Sequence, residues 1–213
     1  FNVAAVIAGF RAASNFARLF QDASLDEKYN KVAEQTKEGL ERHLYHTGLK
    51  RYARSGYRKG KSYELNEVID VSLLGLTFLE TLQPGDPRMV ETVEAIRRQL
   101  WLKTPVGGCA RYQNDGYHRP GDSPADIPGN PWFISTLWLG EYFIARAGSL
   151  KELREAIPYL EWCGKNALPS GVLAEQVHPV NSSPLSVSPL TWSHSSFVWA
   201  VLQYTEKFNS LKK

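Results

Sequence analysis

Two kinds of helical window alternate along this sequence of 213 residues. In the first kind, apolar residues face nearly every direction, which is typical of a helix covered on all sides. In the second kind, apolar residues form one stripe, which is typical of a helix with one face in water. The first kind predicts buried helices over 1–20, 66–82, 132–147 and 192–208, and the second predicts exposed helices over 25–44, 87–102 and 150–162.

This alternation predicts an all-α fold, a ring of helical hairpins with a covered inner layer and an outer layer that faces water. The buried windows after the first begin near Asn66, Pro131 and Trp192, so one hairpin recurs about every 65 residues without a residue-level repeat. With 43% hydrophobic and 22% charged residues, the composition is that of one ordinary globular domain. We therefore expect a single domain over 1–213.

The connections between the windows are of two lengths. Turns that leave a buried helix are short, whereas the connections 46–65, 103–130 and 164–191 are long and lead into the start of a buried helix. Long loops in a compact domain are usually functional. We expect them to gather at one end of the ring, where helix N-termini favour polar or anionic groups.

Composition also narrows the function classes. The formal charge is only +3, and the basic segment 49–61 does not place its charges on one helical face, so neither nucleic-acid nor membrane binding is expected. Cys109 and Cys163 have neither disulfide-framework nor zinc spacing and are expected to be buried thiols. His178 and His194 belong to no metal-binding motif, so no metal and no cofactor are expected.

The two later loops combine carboxylates, an arginine and aromatic rings, which suit a carbohydrate, because sugars offer both hydroxyls and an apolar ring face. The candidate polar and aromatic residues are Arg111, Tyr112, Asp115, Tyr117, His118, Asp122, Asp126, Glu175, Gln176, His178 and Trp192. Each has a simpler interpretation as well. The three aspartates are typical turn residues, Trp132 and Trp138 suit a core, and Glu175 alone would be a surface glutamate.

Four segments together resemble the glucoamylase family, glycoside hydrolase family 15. They are "IDVSLLGL" (69–76), "RYQND" (111–115), "GNPWFISTLWLGEYF" (129–143) and "GVLAEQ" (171–176) with its following "SPLTWSH" (188–194). The resemblance implies an (α/α)6 barrel of twelve helices, of which this chain would be the C-terminal part with about seven. The N-terminal part of the catalytic domain is then expected to lie outside the sequence.

The resemblance also implies roles for individual residues. Glu175, in "AEQ", matches the general base of an inverting hydrolysis, and Arg111 and Trp192 match residues that bind the terminal glucose. The remaining matched candidates for substrate binding are Asp70, Tyr112, Trp132 and Gln176. The family's general acid lies upstream of the segment similar to 1–20. We therefore expect this chain alone to be inactive.

Three functions stay open at this point. The first is an exo-acting α-glucosidase that releases β-glucose from α-glucans or maltooligosaccharides, and the second is a trehalase of the same family, with trehalose as substrate. Both would need the rest of the parent chain. The third is a helical carbohydrate-binding or structural module without catalysis. A lipid-cyclising helical ring is disfavoured because the sequence has no aspartate-rich metal motif.

Overall fold

The structure, a computed structural model, describes residues 1–213. Its α-helices are α1 (Asn2–Leu19), α2 (Ala23–Leu44), α3 (Gly75–Phe78), α4 (Pro87–Leu100), α5 (Phe133–Arg146), α6 (Leu150–Leu153), α7 (Ile157–Asn166) and α8 (Thr191–Leu211). Two 3-10 helices cover Val71–Leu74 and Arg154–Ala156. The strands are β1 (Tyr45–His46), β2 (Arg51–Tyr52), β3 (Ser55–Lys59), β4 (Ser62–Asn66), β5 (Cys109–Ala110), β6 (Pro131–Trp132), β7 (Gln176–Val177) and β8 (Pro184–Leu185).

The chain divides into two compact units. The first contains Phe1–Val68 and Ser72–Thr92, and the second contains Ile69–Val71 and Val93–Lys213. In the first unit α1 packs along α2. The start of α2 is fixed by Asp22, whose carboxylate accepts a hydrogen bond from Leu25 N at 3.0 Å and so satisfies one free N–H of the first turn. The remaining loop of this unit forms the hairpins β1–β2 and β3–β4.

The second unit is built around α5, which packs against α7 and α8. Its core cluster consists of buried apolar side chains from these helices and from the loops between them: Val106, Phe133, Leu137, Trp162, Cys163, Leu173, Ala174, Val177 and Ala200. The prediction that α5 is covered on nearly every side is confirmed, because 11 of its residues are buried. The unit also holds a four-stranded sheet in the order β5–β6–β7–β8, made entirely from the two long loops.

Several helix predictions were wrong in extent. The window 66–82 is helical only from Val71 to Phe78. Before it, the backbone of 69–71 bonds to another segment, with Val71 N donating to Arg111 O at 2.9 Å and Gln113 N donating to Ile69 O at 3.0 Å. These bonds replace the helical ones, so tertiary pairing overrides the apolar pattern. The window 150–162 is interrupted by the second 3-10 helix and extends to Asn166.

The helices α1 and α8 are not covered on all sides as predicted. Phe16 and Phe20, in and just after α1, are 62% and 77% exposed, and Val198 and Trp199 of α8 are 57% and 54% exposed. Each helix buries only the face that packs on its own neighbours, which are α2 and α3 for α1 and α5 to α7 for α8. The apolar character was therefore read correctly, but this chain supplies no cover for the outer faces.

Two smaller observations complete the fold. Cys109 and Cys163 are both buried free thiols, as predicted, and burial raises the pKa of each thiol above its ordinary value. None of the helices combines the length and apolarity that a lipid-spanning segment needs.

Candidate active site

The two long loops of the second unit meet beside the start of α5. Trp132 of β6 is paired with Gln176 of β7, and the backbone on either side of this pair is bonded as well. Phe133 N donates to Glu175 O at 3.3 Å, and Glu175 N donates to Val187 O at 2.9 Å. Both main-chain polar groups of Glu175 are thus held, so its half-buried side chain projects from a fixed stretch of backbone.

Glu175 is bonded to the side chain of the next residue. Gln176 Nε2 donates to Glu175 Oε2 at 3.3 Å, and Gln176 Oε1 accepts from Asn130 Nδ2 at 2.8 Å. Gln176 and Asn130 are almost completely buried, at 0% and 1% exposure. Asn130 also donates to His118 O at 3.0 Å, so the loop 103–130 is tied to the loop of Glu175.

Arg111 forms the second centre of the site. Its guanidinium makes a two-pronged ion pair with Asp115, with Nε–Oδ2 at 2.9 Å and Nη2–Oδ1 at 3.0 Å. Its Cζ also lies 4.4 Å from the ring centre of Trp132, 4.9 Å from that of Tyr112 and 5.3 Å from that of Tyr117. Such cation–π contacts hold a charged group against aromatic faces.

The charge of Arg111 is set by opposing effects. Burial alone would lower the pKa of the guanidinium, but the hydrogen bonds and charge of Asp115 outweigh it, and the net pKa is raised. Arg111 therefore stays a cation although its side chain is only 35% exposed. A fixed, partly exposed guanidinium among aromatic rings is suited to a ligand that carries hydroxyl groups and an apolar ring face, as sugars do.

Asp115 is both the turn residue that its type predicts and the partner of Arg111. Its Oδ1 accepts from Tyr117 N at 3.1 Å, which closes the turn, while its side chain is 1% exposed. Gly129 passes so close that a Cβ there would lie 2.8 Å from the Cβ of Asp115. The close approach of residues 115 and 129 within this loop therefore requires a glycine at position 129.

Trp192 reaches the same end of the unit from α8. Ser193 Oγ donates to Ala174 O at 2.7 Å, and Leu173 N donates to His194 Nε2 at 3.0 Å, so the first turn of α8 is fixed to the residues just before Glu175. The Trp192 indole is 53% exposed and meets Trp138 edge to face, with ring centres 6.2 Å apart. It offers an accessible aromatic surface.

The other predicted residues lie around Arg111. Asp70 is 6% exposed and forms an isolated β-bridge with Tyr112, next to Arg111 in the chain. Trp132 is 3% exposed, as its interpretation as a core residue predicts, and its Nε1 has no hydrogen-bond partner. The structure therefore brings Arg111, Tyr112, Asp70 and Trp132 together in one group. Trp132 connects this group to Gln176 through the pairing of β6 with β7.

The sequence predicted no role for Asn130, and it named Asp115 and Asp122 as candidates without their partners. Asp115 binds Arg111, only four residues away, so the spacing of the two opposite charges is a signal that could have found this pair. Asp122 accepts from His178 Nε2 at 3.0 Å, while His178 Nδ1 accepts from Val180 N at 3.2 Å. Asn130 and Asp122 lie far in sequence from Gln176 and His178, so no local pattern indicates these two bonds.

The family follows from comparison with known proteins. The profile of glycosyl hydrolases family 15 matches residues 1–161. The chain belongs to this family. It is 29% identical over 208 residues to an uncharacterised glycosyl hydrolase of Methanocaldococcus jannaschii, an alignment that covers 93% of this chain and 31% of the relative. It is 33% identical over 146 residues to a glucoamylase of Clostridium sp. strain G0005, which covers 65% of this chain and 20% of the relative.

A solved structure agrees with this assignment. A bacterial glucoamylase crystallised with acarbose superimposes with a TM-score of 0.79 at 25% identity, over 96% of this chain and 33% of that one. The predicted fold class is confirmed: this family 15 chain is all-α and has the fold of part of an (α/α)6 barrel. It spans about a third or less of the length of these relatives.

Proposed function

We propose that the full-length protein is an inverting, exo-acting α-glucosidase of glucoamylase type, which releases β-glucose from the non-reducing ends of α-glucans and maltooligosaccharides. The observation that carries the proposal is the link between the two loops: Trp132, whose ring contacts Arg111, pairs with Gln176, the residue that follows the half-buried Glu175. The relative from Clostridium named glucoamylase and the acarbose complex of the bacterial glucoamylase support it.

In this proposal Glu175 is the general base. A water molecule beside the carboxylate attacks the anomeric carbon from the face opposite the leaving group, and its proton passes to Glu175. The glycosidic oxygen leaves with a proton from a general acid on the other side of the sugar, roughly 6.5–9.5 Å from the base. The partial exposure of Glu175 leaves room for such a water.

Other predicted residues would hold the terminal glucose. Arg111 would donate to sugar hydroxyls through N–H groups other than those that bind Asp115 at Nε and Nη2. Trp192, whose indole is accessible, would line the apolar face of the sugar, and the buried Trp132 would support Arg111. Asp70 and Tyr112 are proposed as further contacts of the same subsite, whereas Gln176, at 0% exposure, is proposed to support Glu175 and not to contact the sugar.

A substrate comparison tests this function. The full-length protein is offered maltose, maltooligosaccharides and trehalose, and the anomer released is followed by NMR. We expect β-glucose from maltooligosaccharides, and a loss of at least about 10²- to 10⁴-fold in rate for Glu175→Gln. The matched control is Glu161→Gln, an exposed glutamate of α7 in the same unit, which should keep full activity.

Other outcomes would support a different function. Turnover of trehalose alone would replace the proposal by a trehalase, and α-glucose as the first product would exclude inversion. Binding of maltooligosaccharides without any cleavage would favour a carbohydrate-binding module. We further propose that the 213-residue chain alone is inactive, because the general acid is expected outside it; glucose release by the purified chain would contradict this.

A further inference from the structure

We propose that Asn130 and Gln176 form an amide relay that fixes the orientation of the Glu175 carboxylate. The relay runs from two backbone carbonyl groups through the side chain of Asn130 to that of Gln176, and ends in an N–H group facing Glu175 Oε2. Its catalytic meaning rests on the proposed role of Glu175 as general base. Asn130 and Gln176 would then act as positioning residues.

The direction of the relay follows from the carbonyl groups. Asn130 Nδ2 faces His118 O at 3.0 Å and Tyr117 O at 3.4 Å, and a backbone carbonyl can only accept. The reverse orientation of Asn130 would place its own oxygen against these two oxygens. The amide nitrogen must therefore point toward them, and its Oδ1 is left without a hydrogen-bond partner.

The orientation of Asn130 determines that of Gln176. Because Asn130 presents an N–H group at 2.8 Å, Gln176 must turn its oxygen Oε1 toward Asn130. Its nitrogen Nε2 then faces Glu175 Oε2 at 3.3 Å and donates to it. With Gln176 reversed, two N–H groups would face each other at one end and two oxygens at the other. Both ends of the amide thus favour the same orientation.

Burial makes this orientation hard to change. Gln176 and Asn130 are 0% and 1% exposed, so bulk water cannot replace a lost partner, and a buried polar group without a partner destabilises the fold. The consequence reaches Glu175. One carboxylate oxygen is held by a fixed donor, and the other is left to receive the proton of the attacking water.

The relay makes a prediction that needs no catalysis. In the 213-residue chain, of 24.0 kDa, the side-chain amide protons of Gln176 should show nuclear Overhauser effects to the side-chain protons of Glu175. In Asn130→Ala these effects should fall to half or less, because the amide of Gln176 can rotate. Asn166→Ala is the matched control: Asn166 is also buried and donates to Trp162 O at 2.8 Å in α7, but has no bond to Gln176.

The catalytic part is tested in the full-length protein. Asn130→Ala and Gln176→Met should lower kcat about 10- to 100-fold while KM changes less than about threefold, since the base is misplaced but the sugar contacts remain. Asn166→Ala should leave both kcat and KM unchanged.

Each result decides the proposal. Unchanged Overhauser effects in Asn130→Ala, or a wild-type kcat in Gln176→Met, would overturn the relay. Should Asn130→Ala not fold, Gln176→Met decides, because it leaves the two backbone carbonyl groups bonded to Asn130. If the full-length protein cleaves no glucoside, the proposed function fails, while the Overhauser effects between Gln176 and Glu175 still confirm or exclude the relay.

Discussion

Asp115 is the residue on which the geometry of Arg111 depends, since its buried carboxylate binds the guanidinium at two points. We expect Asp115→Asn to lower the free energy of unfolding by about 2–3 kcal/mol, because a partly buried cation loses its counter-charge. Urea unfolding followed by circular dichroism measures this. Glu94→Gln is the control: Arg97 and Glu94 pair at 3.0 Å, but their side chains are 44% and 50% exposed, so the loss should stay below about 0.5 kcal/mol.

An equal loss in the two variants would show that burial adds nothing to the Arg111–Asp115 pair.

The sequence predicts the candidate residues of the site but not the bonds between them. Arg111, Glu175 and their supporting partners all stand in recognisable segments, but the segments do not show which of these side chains bond to each other. Asp115 resembles a common turn residue, and Asn130 lies 46 positions from Gln176, so only the folded chain shows the bond between them.

The start of the loop 103–130 is held between α7 and β6 at Gly108. This residue has φ +83°, and a Cβ there would lie 2.5 Å from Trp162 Cζ2 and 2.7 Å from Pro131 Cβ. We expect Gly108→Ala to destabilise the chain by about 3 kcal/mol or more, through both backbone strain and overlap with buried rings. Thermal unfolding monitored by circular dichroism provides the measurement.

Gly164 of α7 provides the opposite case within the same unit. A Cβ there would meet nothing within 4 Å, so Gly164→Ala should stabilise the helix by about 0.5–1 kcal/mol. A mild effect of Gly108→Ala, similar in size to that of Gly164→Ala, would mean that the loop can shift away from Trp162. The loop would then not be a rigid support for the site.

The accuracy of the element predictions has a physical basis. The apolar pattern of α5 predicts burial correctly because its neighbours α7 and α8 are present in the chain. The helix predicted over 66–82 is wrong in extent because the backbone of 69–71 bonds to 111–113, and side-chain periodicity does not predict such a pairing. The short strands of the site arise in the same way, since loops adopt them only where two distant segments meet.

At the scale of the whole molecule, ionisable groups of two kinds set the dependence of stability on pH. Hydrogen bonds from Arg88 hold the pKa of Asp86 below its ordinary value, so this group stabilises the fold at neutral pH and its contribution is lost as the pH falls. The effect of Glu141, in α5, on stability has the opposite dependence on pH. Burial raises its pKa from 4.5 to about 7, so the folded chain keeps a proton that the unfolded chain releases.

Glu141 therefore lowers the free energy of unfolding by an amount that grows as the pH rises from about 4.5 to 7. Above that pH the loss is constant, at roughly 3 kcal/mol. Below pH 4.5 it is absent, because both states are protonated. We expect stability to be greatest in mildly acidic solution. Glu141→Gln, which cannot ionise, should raise the free energy of unfolding by roughly 1–3 kcal/mol at pH 8 and by less than about 0.5 kcal/mol at pH 4.5.

Urea unfolding of both chains at pH 4.5, 6 and 8 measures this difference, and Glu161→Gln, an exposed glutamate of α7, serves as the control with no pH-dependent change. A gain of equal size at all three pH values would attribute the effect of Glu141→Gln to packing. A gain that appears only between pH 4.5 and 8 can arise only from a titrating group, and Glu141 is the group that the substitution removes. The buried carboxyl would then set the pH dependence of stability at neutral pH.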